Sequence, residues 1–237
     1  MVLKKRILNL FDRVLIAGLR KIEYERARKE QNIFEQVKKV ALNQTAEYVI
    51  KKMSDAVVTN STIELYNYVL KNNIIKGSIL EFGVFQGSTI NYFASKFPDS
   101  TIYGFDSFEG LPEKWREGFD KGAFDMKGVY PAVRENVILV KGWFESSISD
   151  FLSRCELTDI GLLHIDCDLY SSTKTVFTLL GEKINKGTVI IFDEYFNYPG
   201  WQEGEFKAFQ EFINSKGLCY KYIAYNANHE QVAVVIN

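Results

Sequence analysis

Residues 78–97 read SILEFGVFQGSTINYFASKF. Five residues of strand character lead into Gly83. Gly87 follows four positions later, and apolar residues then recur at helical spacing. A short apolar run, a glycine turn and a helix, in that order, make the opening unit of a parallel α/β sheet. Glycine at both turn positions lets the chain reverse tightly and approach a neighbour or a ligand closely.

The same unit repeats downstream. TIYGFD (101–106), NVILVKG (136–142), IGLLHID (160–166) and TVIIFD (188–193) read as further strands. Helical patterns follow most of them: one from about Glu145, STKTVFTLLGEKI, and one over about 205–215. Two last strands, about 218–225 and 231–236, flank the turn-like NANHE and predict a closing antiparallel hairpin. Continuous β-branched runs that alternate with helices imply a sheet covered on both faces. The expectation is a Rossmann-like α/β sandwich of seven strands, mostly parallel. Upstream, residues 1–55 read as helical throughout. Ser61 and Glu64 form an S-x-x-E capping box ahead of a helix over Thr62–Asn72. The chain thus divides into an N-terminal helical extension (1–60), serving as lid or oligomer contact, and an α/β domain (61–237). The stretch 109–135 has little periodicity and is expected to be a lid or binding loop.

Composition narrows the function. The chain has 237 residues, 46% hydrophobic and 25% charged, with a formal net charge of −1. That is a globular composition without the basic excess of a nucleic-acid footprint, so no nucleic-acid partner is expected. The three cysteines, Cys155, Cys167 and Cys219, are odd in number and widely spaced. They argue against a disulfide framework or a zinc cluster and for a reducing cytoplasm. The N-terminal apolar run VLIAGL is too short to span a bilayer. Leu3, Ile7, Leu10, Phe11, Val14 and Leu15 share a helical face. That face either packs on the domain or on a second subunit of a homo-oligomer, or rests on a membrane surface.

The turn EFGVFQGS (81–88) differs from the dinucleotide fingerprint: Phe85 stands where a pyrophosphate would need a glycine. Glu81, at the strand end, would repel a phosphate and suit a cationic or amino-bearing ligand. Asp106 ends the second strand, where α/β sheets bind ligands, and a carboxylate there can accept both hydroxyls of a ribose.

Four motifs together, EFGVFQGS, YGFDSFEGLP, HIDCDLYSST and IIFDEY, resemble the class I S-adenosylmethionine-dependent methyltransferases. Within these the chain is most similar, over about residues 60–237, to the macrocin O-methyltransferase (TylF/MycF) group, which methylates sugar hydroxyls with magnesium. The resemblance implies that Gly83 and its neighbours hold the methionine portion, that Asp106 holds the ribose, and that the turn KGWFESS (141–147) lies by the adenine. Cofactor contacts are therefore expected from Glu81, Gly83, Phe85, Gly87, Ser88, Asp106, Ser107, Gly142, Trp143, Phe144 and Asp166.

The remaining signal is acidic. Asp166 and Asp168 close one strand; Asp193 and Glu194 close the next. Strands in a sheet lie about 4.8 Å apart, so the carboxylates of neighbouring strands converge. Two like charges at about 4 Å repel by about 4 kcal/mol at an effective dielectric near 20, and three call for a cation or protonation. An all-oxygen set selects a hard ion such as Mg²⁺. The expected ligands are Asp166, Asp193 and Glu194; the related group has Asp-Asp or Asp-Asn where this chain has Asp-Glu. Asp168 is expected to cap the next helix, with ligation as its alternative. A base must take the proton of the attacking hydroxyl, with Asp166 the first candidate and His164 the second. The acceptor pocket is expected from the N-terminal helices, the 109–135 loop, and Tyr195, Tyr198 and Trp201. The leading reading is a Mg²⁺-dependent O-methyltransferase of a sugar or glycoside. A phenolic or catechol acceptor, a nicotinamide-dependent oxidoreductase and a non-catalytic binding protein are the alternatives.

Overall fold

A computed structural model describes residues 2–157 and 159–237, with side chains described from Arg13 onward. Eight strands form one sheet: β1 (Val57–Thr59), β2 (Ser78–Phe82), β3 (Ile102–Asp106), β4 (Val137–Lys141), β5 (Ile160–Ile165), β6 (Val189–Phe192), β7 (Tyr220–Asn226) and β8 (Val232–Ile236). Their spatial order is β1-β7-β8-β6-β5-β2-β3-β4. β2 through β6 pair in parallel, whereas β8 runs antiparallel to both β6 and β7. The sheet is the expected sandwich with a reversed terminal hairpin, plus one strand. That addition, β1, pairs in parallel with β7 at the edge. Three residues, VVT, are too few to display a period, which is why the sequence reading passed over it.

Seven helices complete the fold: α1 (Val2–Glu30), α2 (Ile33–Lys52), α3 (Thr62–Asn72), α4 (Ser88–Lys96), α5 (Phe144–Arg154), α6 (Tyr170–Leu180) and α7 (Glu205–Lys216). α1 and α2 are separate because Asn32 caps α2, its side chain accepting from Phe34 N and Glu35 N. Ser61 caps α3 as its capping box predicts, and Glu64 returns a hydrogen bond to Asn60 N. Apolar side chains on both sheet faces make two cores. One contains Leu80, Phe82, Phe105, Ile165 and Phe192 under α5, α6 and α7. The other contains Ile79, Leu162, Val189 and Ile191 under α3 and α4.

One topological feature positions the site. β2 has β3 on one side and β5 on the other, so the chain winds outward in one direction and then in the other. The crevice where winding reverses, beyond the carboxyl ends of β2 and β5, is where open α/β sheets bind ligands.

Candidate active site

At that crevice Gly83 has φ +92°, and a Cβ placed on it would lie 1.7 Å from the backbone oxygen of Asp166. The glycine is therefore required by the close approach of the two strand ends as well as by any ligand. The turn beyond it is held by one carboxylate. Asp106 Oδ2 accepts from Val84 N and Phe85 N, both at 2.8 Å, and Oδ1 accepts from Phe108 N at 2.6 Å. These bonds keep Phe85 at φ +46°, a left-handed conformation a bulky side chain rarely adopts. Asp106 still lines the crevice, with three of its roughly four acceptor positions engaged by backbone.

The crevice opens into a cavity of about 640 Å³. Gly83, Phe85, Asp106, Ser107, Gly142, Trp143, Phe144, Asp166 and Glu194 line it. Trp143 is 41% exposed and forms a free aromatic wall, while Phe144 is anchored edge-on against Phe82 at 5.2 Å. Glu81, Gly87, Ser88, His164 and Asp193 are absent from the lining. Gly87 instead supplies the left-handed N-cap of α4, and Ser88 is that helix's first residue. Glu81 and His164 face each other inside the sheet, Oε2 to Nδ1 at 3.4 Å, both fully buried. Burial pushes the Glu81 carboxyl up, opposed by its histidine partner.

The strand-end acids divide into two groups that share Asp166. On the cavity side, Asp166, Asp168 and Glu194 each offer an oxygen, all within 4.8 Å of one another. On the other side, a ring nitrogen of His164 and one carboxylate oxygen each from Asp166 and Asp193 also lie within 4.8 Å of one another. Asp193 and Glu194, in the bend beyond the end of β6, part company. Asp193 Oδ1 accepts from Tyr66 Oη at 3.4 Å, and Oδ2 accepts from Gln231 Nε2 at 3.1 Å. Tyr66 Oη also lies 3.2 Å from His164 Nε2. Glu194 is buried, and its Oε2 has no hydrogen-bond partner among the described residues.

Asp168 does not cap α6. The cap position is Leu169, no side chain caps the helix, and Asp168 has φ +63° with its carboxyl in the cavity. Its left-handed backbone turns the side chain away from the helix end and toward Glu194. Burial, followed by the charge of Asp193 and other acids, pushes Asp168 up to about 7, against the pull of Arg116. Burial and neighbouring carboxylates also push Asp166 and Glu194 well above the carboxylate range.

Three features escaped the sequence. Glu205, fully buried, accepts from Glu194 N at 3.3 Å and supports the acid group from below. It sits at a helix start beside Glu203, where an acid reads as an ordinary first-turn residue. Arg116 Nη1 donates to both carboxylate oxygens of Glu230, at 2.8 and 2.9 Å, and the guanidinium stacks on Trp115, 3.8 Å from the ring centre. This fastens the loop over the cavity to the β7–β8 turn. Finally, within the 109–135 loop expected to form the pocket, the residues that make the aromatic wall are Trp115, Phe119 and Phe124, joined by Phe85. Tyr195, Tyr198 and Trp201, expected there, are core residues at 0%, 5% and 2% exposure. Among the described residues, none of α1 or α2 lines the cavity. Density of aromatics in sequence does not reveal the direction in which they point.

Against this geometry, residues 80–195 match the family described as a methyltransferase domain. Among curated proteins, demethyldecarbamoylnovobiocin O-methyltransferase of Streptomyces niveus is 27% identical over 154 residues. That match covers 55% of this chain and 57% of the relative, so the chain aligns with little more than half of that protein's length. Among solved structures, the calicheamicin methyltransferase CalS11 superposes with a TM-score of 0.55 at 24% identity, covering 72% of this chain and 75% of the other. An apo structure of CalS11, described as a TDP-rhamnose 3′-O-methyltransferase, gives 0.50 at 23% identity over 72% and 75%. The O-methyltransferase NovP gives 0.51 at 22% identity over 71% and 75%. These superpositions establish the class I methyltransferase fold.

Proposed function

We propose that the protein is an S-adenosylmethionine-dependent O-methyltransferase that uses a hard divalent cation, Mg²⁺ by preference, to methylate a hydroxyl of a sugar or glycoside. The observation that carries the reading is the cavity at the winding reversal. It joins the Gly83 turn to an all-oxygen group, Asp166–Asp168–Glu194, containing a buried carboxylate oxygen with no partner. A donor set of carboxylates alone, without cysteine, fits an oxygen-seeking ion. The acceptor class draws support from the rhamnose derivative named for CalS11 and from the similarity of the motifs to the macrocin O-methyltransferase group.

Methyl transfer from a sulfonium to a hydroxyl forms a C–O bond, breaks a C–S bond to leave a neutral thioether, and releases one proton. The cofactor supplies the methyl group, and a cation held by Asp166 and Glu194, with Asp193 adjoining, would polarise the acceptor oxygen. The chain's own groups do the rest. Gly83 and the Asp106-clamped turn admit the methionine portion at the β2 end. Trp143 and Phe144 wall the adenine. Asp166 and Asp168 are the carboxylates placed to take the proton. His164 is shut off from the cavity and acts on this chemistry only through Tyr66 and Asp193.

The aromatic wall of Phe85, Trp115, Phe119 and Phe124 favours a second acceptor class, a phenol or catechol. Turnover with a panel of neutral glycosides and catechols, with and without chelator, tests both. Calorimetry with S-adenosylhomocysteine comes first: no binding at millimolar ligand refutes the methyltransferase reading. Glu194→Gln should keep cofactor binding and lose divalent-dependent turnover; unchanged turnover refutes the metal site.

A further inference from the structure

The domain described above leaves its N-terminal helix without a role. α1 is 29 residues, about 43 Å at the helical rise of about 1.5 Å per residue. Its main packing partner is α2, and none of its described side chains lines the cavity. Its apolar residues remain in solvent: Val14 is 66% exposed, Leu15 63%, Leu19 53% and Ile22 62%. At helical spacing these four share a broad face, with Arg13 and Arg20 opposite. Residues 2–22 hold six basic side chains and one acidic, in a chain of formal net charge −1.

We infer that α1 is an interfacial anchor that lies flat on an anionic lipid surface. The partner is chosen by charge and by the width of the apolar face. A helical seam between two copies needs a narrow apolar stripe, narrower than the face that Val14, Leu15, Leu19 and Ile22 share. A bilayer surface accepts a broad apolar face at the acyl boundary, while its anionic headgroups neutralise flanking lysines and arginines. The helix lies on the membrane and does not cross it: among the described residues no helix is long and apolar enough to span a bilayer. The last turns of α1, ERARKE, are polar on all sides and lead the chain off the surface toward α2.

The test is flotation of the full chain with vesicles of phosphatidylcholine alone or mixed with phosphatidylglycerol. Most of the protein should float with the anionic vesicles at about 50 mM NaCl. Binding should fall at least tenfold at about 500 mM NaCl, where screening is strong. Leu15→Glu with Leu19→Glu, and separately Arg13→Glu with Arg20→Glu, should each lower binding at least tenfold. Both double variants should retain the wild-type melting temperature, since these side chains are exposed. Failure to float with anionic vesicles overturns the inference, as does equal flotation on neutral ones. A dimer in sedimentation that Leu15→Glu with Leu19→Glu dissolves would assign the face to a second copy and also overturn it.

Discussion

The acid group makes the metal-free protein sensitive to alkali. Asp168 is 7% exposed, and its carboxyl is raised from an ordinary value of 3.8 to about 7, first by burial and then by its acidic neighbours. Between those values the folded chain holds a proton that the unfolded chain has released. Stability is therefore highest below the unfolded value and falls as pH rises through 7. At about 1.4 kcal/mol per unit, the full shift of about three units corresponds to about 4 kcal/mol. Most of it, about 2–3 kcal/mol, is lost between about pH 5 and pH 8. For a chain of this size that lowers the melting temperature by roughly 5–10 °C. The assay is thermal melting in chelator at both pH values, for wild type and Asp168→Asn. Asparagine is neutral and tolerates the left-handed backbone at φ +63°, so the variant keeps the geometry and removes the titration. The pH 5-to-8 drop should be larger in wild type than in the variant by that amount. Millimolar Mg²⁺ should restore most of the wild-type loss at pH 8 and do little at pH 5. A wild-type drop equal to or smaller than that of Asp168→Asn would refute the argument.

Three further outcomes follow from particular contacts. Gly83→Ala puts a Cβ 1.7 Å from the Asp166 backbone oxygen at positive φ, and should cost at least about 2–3 kcal/mol in denaturant unfolding while abolishing cofactor binding. Trp143→Ala removes a wall that is 41% exposed, so S-adenosylhomocysteine affinity should fall roughly tenfold in calorimetry, about 1.4 kcal/mol, with melting unchanged. Arg116→Ala removes the cation that holds Asp168 down and the loop's bond to Glu230. The alkaline loss of stability in chelator should then extend to higher pH, and the 109–135 loop should become more susceptible to limited proteolysis.

Local signals in the sequence determined much of this protein. Glycine turns, continuous apolar runs and a capping box are short-range features, and they specified the strand–helix alternation, the terminal hairpin and the start of α3. They also marked Gly83, Asp106 and the acids at the ends of β5 and β6, because parallel sheets concentrate chemistry where strands stop. Tertiary structure alone decided which of those groups meet. The bend after β6 sends Glu194 into the cavity and Asp193 toward Tyr66 and Gln231. A single left-handed residue turns Asp168 from a helix cap into a cavity carboxylate. Glu205, Arg116 and Glu230 enter through contacts between segments far apart in the chain, and Tyr195, Tyr198 and Trp201 leave for the core. β1 is too short to carry a period of its own and exists as a strand because the edge of β7 offers it hydrogen bonds.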